Sequence, residues 1–301
     1  VKRDHKLAWN LVIQTVRSWS ADYAPSMGAA LAFYTLFSIV PLILIALVVA
    51  GHFFGPNAAR GEIVSQLSAL MGRTGAEAVD GLIQSANAPE RRSLATGVGI
   101  IVFVVGATSV FNELQDALNR IWRAPRSPRA AGLFSFLHMR LLSFGLIVGF
   151  LFLLLVSLVV SAMLSSLGRW WGPIFGDRTV LALITNILFS FILITVLFAM
   201  IYKIVPQKKV HWEDVWIGAA ITSMLFSVGK GVIGIYLGRS VTVSAFGAVG
   251  SLAVFLLWVY YSAQIFLLGA EFTRLYSGLR TGVSPDTQPA PVVTRLPQEH
   301  R

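Results

Sequence analysis

The chain has no cysteine, which excludes thiol catalysis, thiolate metal sites and disulfides. Charge is scarce: Asp, Glu, Lys and Arg make up 13% of the residues, against about 25% in soluble domains. Acidic residues are the scarcest, 14 in all, and they gather only as Glu113/Asp116 and Glu213/Asp214. The five histidines, His5, His52, His138, His211 and His300, are scattered. Phosphodiester hydrolysis needs metals held by clustered carboxylates or histidines, or a histidine acid–base pair, and no such cluster is legible. No G-x-x-x-x-G-K-[ST] loop is present, so ATP is not the direct driver within this chain. The opening residues VKRDHKLAWNLVIQ have neither the apolar core nor the small-residue cleavage site of a signal peptide. The first span is therefore expected to insert the protein.

Apolar length is abundant. Six runs, 29–51, 94–112, 141–168, 179–202, 215–238 and 240–270, contain a single charged residue, Lys230. A helix rises about 1.5 Å per residue, so ~20 apolar residues cross a ~30 Å hydrocarbon core. Mean hydropathy is +0.72. The expected fold class is all-α, a polytopic membrane protein with six transmembrane helices. Residues 1–28 hold an interfacial helix. Residues 29–275 form the transmembrane domain, with spans near 29–51, 94–118, 141–166, 179–203, 215–238 and 244–270 and an external helical loop at 52–93. Residues 276–301 form a cytoplasmic tail; within it 281–301 carries four prolines among polar residues and is expected to be disordered.

Flanking charge orients the spans. The N-terminal segment, the connections near 113–140 and 203–214 and the C-terminal segment carry 16 Lys and Arg, whereas the connections near 52–93, 169–178 and 239 carry 7. The positive-inside rule places the first set in the cytoplasm, with both termini, and the protein in a bacterial inner membrane. The net charge of +10 then reflects topology, and no nucleic-acid partner is expected.

Along residues 5–20, Trp9, Val12, Ile13, Val16 and Trp19 recur at helical spacing. They form a face that either lies on the inner leaflet or packs under the bundle. The first span carries Pro41 at mid-depth, which kinks a helix. Tyr34, Thr35 and Ser38 just before it either satisfy freed carbonyls or line a pocket. In 52–93, two apolar groups (Ile63, Leu67, Leu70 and Val79, Leu82, Ile83) flank Gly72 and Gly75, predicting two short amphipathic helices that cap the outer face. Gly145-x-x-x-Gly149 and Gly234-x-x-x-Gly238 predict close helix approach.

Lys230 stands about eight residues, or ~12 Å, from the outer end of the fifth span. A lysine there costs about 2.5–3.5 kcal/mol on insertion scales and usually faces the bundle interior or a wet cavity. It either snorkels or faces an outward-open polar cavity with Asn186, Thr185 and Ser251, joined at compatible depth by Ser157 and Ser161. Such a cavity suits an anionic group of a substrate or lipid. Glu113, Asp116, Arg120, Glu271 and Arg274 lie at the inner ends of the second and sixth spans and are expected to form an ion network. Glu213 and Asp214 are expected to cap the fifth span, where negative charge suits the helix dipole.

Five segments carry a resemblance: AALAFYTLFSIVPL at 29–42, ELQDALNRIWRAP at 113–125, IYKIVPQKKVHWEDVWIGA at 201–219, SVGKGVIGIYLG at 227–238 and SAFGAVGSLAVFLLWVYYSAQIFLLGAEFTRLY at 244–276. On these the chain resembles the YihY/BrkB family of bacterial inner-membrane proteins, over roughly residues 7–280. The resemblance implies a six-span protein associated with serum resistance and virulence, under the legacy label ribonuclease BN, and carries over no catalytic residue. The expected function is a transporter or lipid-handling protein for a small or amphipathic, anionic molecule, with membrane lipids as partners and no cofactor or metal. A non-transporting envelope scaffold is the alternative, and a ribonuclease a weaker one.

Overall fold

The computed structural model describes residues 2–86, 92–124, 179–208, 210–239 and 247–282. The third predicted span, Gly145, Gly149, Ser157, Ser161 and most of the predicted tail lie outside the described residues. The side chains of Pro41, Thr185, Asn186 and Ser251 also lie outside the described part of the structure.

Among the described residues the fold is all helical. The helices are α1 (Lys2–Ala21), α2 (Ala24–Phe54), α3 (Pro56–Ala86), α4 (Arg92–Ile121), α5 (Thr179–Ile204), α6 (Trp212–Arg239) and α7 (Gly247–Thr281). Three segments are long and apolar enough to cross a membrane, Ile187–Ile204, Trp212–Tyr236 and Leu252–Thr281, and a shorter apolar stretch spans Ala24–Ile39. Their outward faces are oily: Ile187 and Leu188 on α5, and Val228, Val232 and Ile235 on α6, are exposed. Contiguous exposed apolar surface of this kind marks a face that water does not wet.

Helix α7 is the hub, touching α1, α2, α3, α4 and α6. The core has two parts. One gathers Met27, Leu118, Ile121, Phe198, Tyr202 and Leu267 at the end of the bundle where α4 and α5 stop and α6 begins. This is the charged end. The other, at the far end, joins Ile43, Ala78, Val79, Ile233, Val254 and Phe255.

The α6/α7 seam shows why these two helices sit so close. A Cβ on Gly218 would stand 2.7 Å from Thr273 Cβ, one on Gly269 2.9 Å from Thr222 Cβ, and one on Gly229 2.7 Å from Tyr261 Cε1. Asp214 accepts a 2.7 Å hydrogen bond from Ser277 Oγ on the same line. As the α6 number rises from 214 to 229, its α7 partner falls from 277 to 261, so one antiparallel register runs the length of the contact. Lipid gives apolar side chains no reason to cluster, so van der Waals fit between small residues holds such pairs. Among the described residues, Gly234, expected at a close approach, meets nothing within 4 Å, whereas Gly218, Gly229 and Gly269 do the packing of the α6/α7 seam. Tyr202 adds a polar pin, donating to Phe266 O at 2.7 Å and lying 3.1 Å from Thr222 Oγ1. It ties α5 to both partners.

Helical bonding runs through Pro56–Ala86, yet Arg60 Nε and Nη2 each donate to Asp80 at 2.8 Å, 20 residues away. A straight helix would separate them by about 30 Å. The segment therefore doubles back on itself, with Gly72 and Gly75 in the interval, where glycine tolerates the sharp bend. Both arms reach the far-end core, Ile63 and Leu67 from one and Ala78 and Val79 from the other. On α1, Leu11 and Thr15 face inward, while Trp9, 66% exposed, Val12 and Val16 form an uncovered apolar stripe.

Candidate functional site

The polar chemistry of the described bundle concentrates at the charged end, and its geometry begins with two unusual turns. Asp22 and Tyr23 alone link α1 to α2, and Tyr23 adopts left-handed geometry at φ 58° and ψ 35°. This sharp joint turns Asp22 inward, where its side chain is 5% exposed. Helix α4 ends on a Schellman arrangement: Ala124 N bonds Asn119 O at 2.9 Å and Arg123 N bonds Arg120 O at 3.2 Å. Glycine usually takes the left-handed position of that motif; here Arg123 does, at φ 51°. Tyr23 and Arg123 are the two non-glycine residues with positive φ among the described residues. Each such residue costs roughly 1–3 kcal/mol and persists only where its surroundings hold it.

Both turns serve one ion pair. Arg123 Nη1 donates to Asp22 Oδ1 at 2.7 Å. On α7, Arg274 donates through Nε at 3.1 Å and Nη2 at 2.9 Å to Glu271 Oε2. Glu271 is fully buried. The first pair joins the α1–α2 joint to the end of α4, and the second lies on α7, which packs against α1, α2 and α4. Among the described residues, the oxygens not bound by arginine, Asp22 Oδ2 and Glu271 Oε1, are buried without a donor. Each such unmet group costs about 1–3 kcal/mol.

Unmet polar atoms extend from there along the bundle. Trp19 Nε1 lies one turn before Asp22 and Trp122 Nε1 beside Arg123; both are buried and lack an acceptor. Gln264 Oε1 on α7 and Ser223 Oγ on α6 are also without partners. Gln264 is seven residues, ~10 Å, from Glu271, and Ser223 is a similar step from Lys230. Buried polar groups are paired in the large majority of cases, and exceptions point to water, an ion or a functional role. The buried threonines are different: Thr222 and Thr273 donate to carbonyls one turn back and need nothing further.

A neighbouring ion group closes the start of α6. Asp214 receives Ser277 and lies 3.2 Å from Arg280 Nε, while Glu213 also pairs with Arg280. Gln207 N donates to Asn119 Oδ1 at 2.9 Å, tying the α5–α6 connection to α4. Lys203 donates to Val210 O and lies 5.3 Å from the Trp212 ring.

Of the residues expected in an inner ion network, the structure brings Glu271 and Arg274 together. Arg120 instead rests over the Tyr23 ring at 5.2 Å. Glu113 is half-buried and Asp116 exposed; neither forms an ion pair among the described residues. Arg123, expected among the arginines around that network, pairs instead with Asp22, which sequence reasoning passed over as a site residue, as it did Ser277 of the neighbouring group. A lone acid at a two-residue joint between helices is the one signal that marks Asp22. Ser38 donates to Thr35 O at 3.0 Å. Its backbone N would lie 3.1 Å from a Cβ on Gly106, so Ser38 stands at the α2/α4 crossing. Tyr34 is half-buried one turn away. Lys230 is half-buried on α6, one turn from Ile233 of the far-end core.

The family described as Virulence factor BrkB matches residues 15–292. A UPF0761 membrane protein of Halorhodospira halophila is 28% identical over 86% of this chain and 55% of its own length. One from Pseudomonas aeruginosa is 29% identical over 83% and 58%, and one from Azotobacter vinelandii 31% identical over 86% and 61%. The chain therefore spans little more than half the length of these relatives. No solved structure matches.

Proposed function

The chain belongs to the BrkB virulence-factor family of membrane proteins, and from that premise we propose that it is a six-span transporter of a bacterial inner membrane. Its substrate is a small or amphipathic molecule with an anionic group, and the charged end of the bundle faces the cytoplasm. The observation that carries this reading is the series of buried polar atoms without a partner among the described residues, from Asp22 and Glu271 through Gln264 to Ser223. A dry scaffold has every reason to pair or exclude such atoms, since each one weakens it. A protein that admits a polar solute or water between its helices requires them. The same series favours transport over the scaffold reading.

Lys230 supplies the preference for an anion. It lies beyond Ser223 toward the far end, on the border of the core that the doubled-back α3 covers. A cation held at a protein–lipid boundary draws carboxylate, sulfonate or phosphate groups. The positive-inside rule supports the orientation, because the connections at the charged end carry the larger share of Lys and Arg.

The test is efflux of a fluorescent aryl sulfonate from vesicles holding the purified chain, comparing the natural protein with Lys230→Met and Lys230→Ala. A loss of several-fold in rate, with the fold retained, is expected for both. Equal rates in all three proteins refute the role of Lys230, and no flux above empty vesicles refutes transport of this class of solute.

A further inference from the structure

We propose that α1 is a binding surface for anionic phospholipid: it lies along the charged end of the bundle with its uncovered face in the headgroup layer of the adjoining leaflet. That this leaflet is the cytoplasmic one rests on the orientation proposed above; the lipid contact itself depends on neither that orientation nor transport.

The two sides of α1 have different surroundings. Leu11 and Thr15 are buried, and α1 packs against α7 and α2. Trp9, Val12 and Val16 are exposed and follow one another at spacings of three and four residues, so they form one stripe. At 3.6 residues per turn this stripe is rotated about a third of a turn from Leu11 and Thr15. Helix α1 therefore packs on the bundle along one side and still presents a second apolar side. Basic residues edge that second side. Exposed Arg17 lies on the flank away from Leu11 and Thr15, and Lys6, about three turns earlier, shares its register. Over the whole helix Lys2, Arg3, Lys6 and Arg17 face a single acid in sequence, Asp4. An apolar strip that carries tryptophan and is edged by Lys and Arg is the pattern of a helix that lies in the headgroup layer and favours anionic lipid.

The depth of α1 agrees. Trp19 packs against the core cluster that holds Val205, Val210 and Val215, where α5 ends and α6 begins. At that level Trp212 and Trp216 are exposed on α6, and Lys203 Nζ lies 5.3 Å from the Trp212 ring. Exposed tryptophan beside lysine marks the headgroup level of a spanning helix. The joint that follows α1 repeats the pairing, with exposed Arg120 standing 5.2 Å over the ring of exposed Tyr23. Charge also selects lipid over a second copy of the chain. Two stripes facing each other would press two basic flanks together, whereas an anionic leaflet attracts both.

The absence of cysteine makes the test direct. The full chain with Val16→Cys, or with Gln14→Cys on the polar side, carries one NBD fluorophore and is reconstituted in vesicles. Quenching by doxyl-labelled phospholipid is compared in phosphatidylcholine and in a mixture of phosphatidylcholine and phosphatidylglycerol. At position 16 quenching is expected to rise several-fold in the mixture and to exceed that at position 14. High salt is expected to reduce the rise, since it screens exposed charge, and Lys6→Gln with Arg17→Gln to abolish it. The comparison of two lipids and of salt needs no charge variant, so it decides the proposal even where the double substitution disturbs the fold. Equal quenching in the two lipids overturns the preference for anionic lipid and with it the proposal. A label at position 16 that is quenched by aqueous iodide and not by doxyl lipid shows a face in water and overturns it too. A label shielded from both quenchers shows the stripe covered by protein, a second copy included, with the same consequence.

Discussion

Replacing Gly218 by alanine tests the seam between α6 and α7. The new Cβ would stand 2.7 Å from Thr273 Cβ, whereas carbons in contact sit about 3.5–4.0 Å apart. The helices must part by roughly 0.8 Å or more to reach that separation. Neither neighbour can yield by rotating a flexible tip, because the clash is with a Cβ fixed to backbone. Parting the helices strains the Asp214–Ser277 bond, 2.7 Å long on the same register, and opens the contact of Thr222 on Gly269. Overpacking of this kind costs about 1–3 kcal/mol. Gly231→Ala is the matched control: it lies on the same helix and among the described residues meets nothing within 4 Å, so the better helix propensity of alanine leaves it neutral or slightly stabilising. Thermal unfolding in detergent, read by tryptophan fluorescence, compares the two. Thr273→Gly added to Gly218→Ala is expected to recover part of the loss, since it removes the opposing Cβ, with a coupling energy within the roughly 0.5–3 kcal/mol range of touching residues. Equal unfolding temperatures for Gly218→Ala and Gly231→Ala would refute the register.

Other expectations follow from the same contacts. Arg123→Gly relieves a left-handed backbone but removes the cation from Asp22; with Arg123 42% exposed, the net effect in thermal unfolding is a loss of about 1–3 kcal/mol, and a gain in stability would show that strain outweighs the ion pair. Tyr202→Phe removes a hydroxyl that links α5 to α6 and α7 and is expected to cost about 0.6–1.7 kcal/mol, the range for interhelical bonds in lipid. Because the chain has no cysteine, Arg60→Cys together with Asp80→Cys gives a clean background for cross-linking: a short bismaleimide is expected to join the two thiols if α3 doubles back, and it cannot reach across a straight helix, which would hold them about 30 Å apart. A cysteine at exposed Asn57 is expected to react with an impermeant maleimide from outside the cell and one at exposed Gln207 from inside; the reverse pattern would invert the orientation.

Sequence reading captured features carried by local pattern. The apolar runs at 179–202, 215–238 and 240–270 correspond to helices long enough to span, because twenty apolar residues need no partner to declare themselves. In 52–93 two short helices were expected, whereas helical bonding runs unbroken over Pro56–Ala86, and it is the Arg60–Asp80 contact, 20 residues apart in sequence, that shows the segment doubling back. Helix packing was harder to read. The Gly234-x-x-x-Gly238 spacing looks like a packing motif, yet among the described residues it is Gly218, Gly229 and Gly269 that make the α6/α7 contacts. A glycine works only opposite a residue that fills its gap, here Thr273, Tyr261 and Thr222, and that match lies across two helices rather than along one.

The buried acids show the same limit at greater range. Glu271 and Arg274 share a helix turn and were visible together. Asp22 lies 249 positions earlier and acquires meaning only once a two-residue joint turns it inward. Neighbouring charge was a poor guide, since Glu113, Asp116 and Arg120 share a face of α4 but do not join the cluster. Arg123, which reads in sequence as a residue ending a basic turn, reaches Asp22 because its backbone takes a conformation normally left to glycine. The strained Tyr23 and Arg123 thus meet around one ion pair, Asp22–Arg123, at the two-residue joint between α1 and α2. Backbone strain of this kind persists only where its surroundings hold it, which is why that contact fixes the charged end of the bundle.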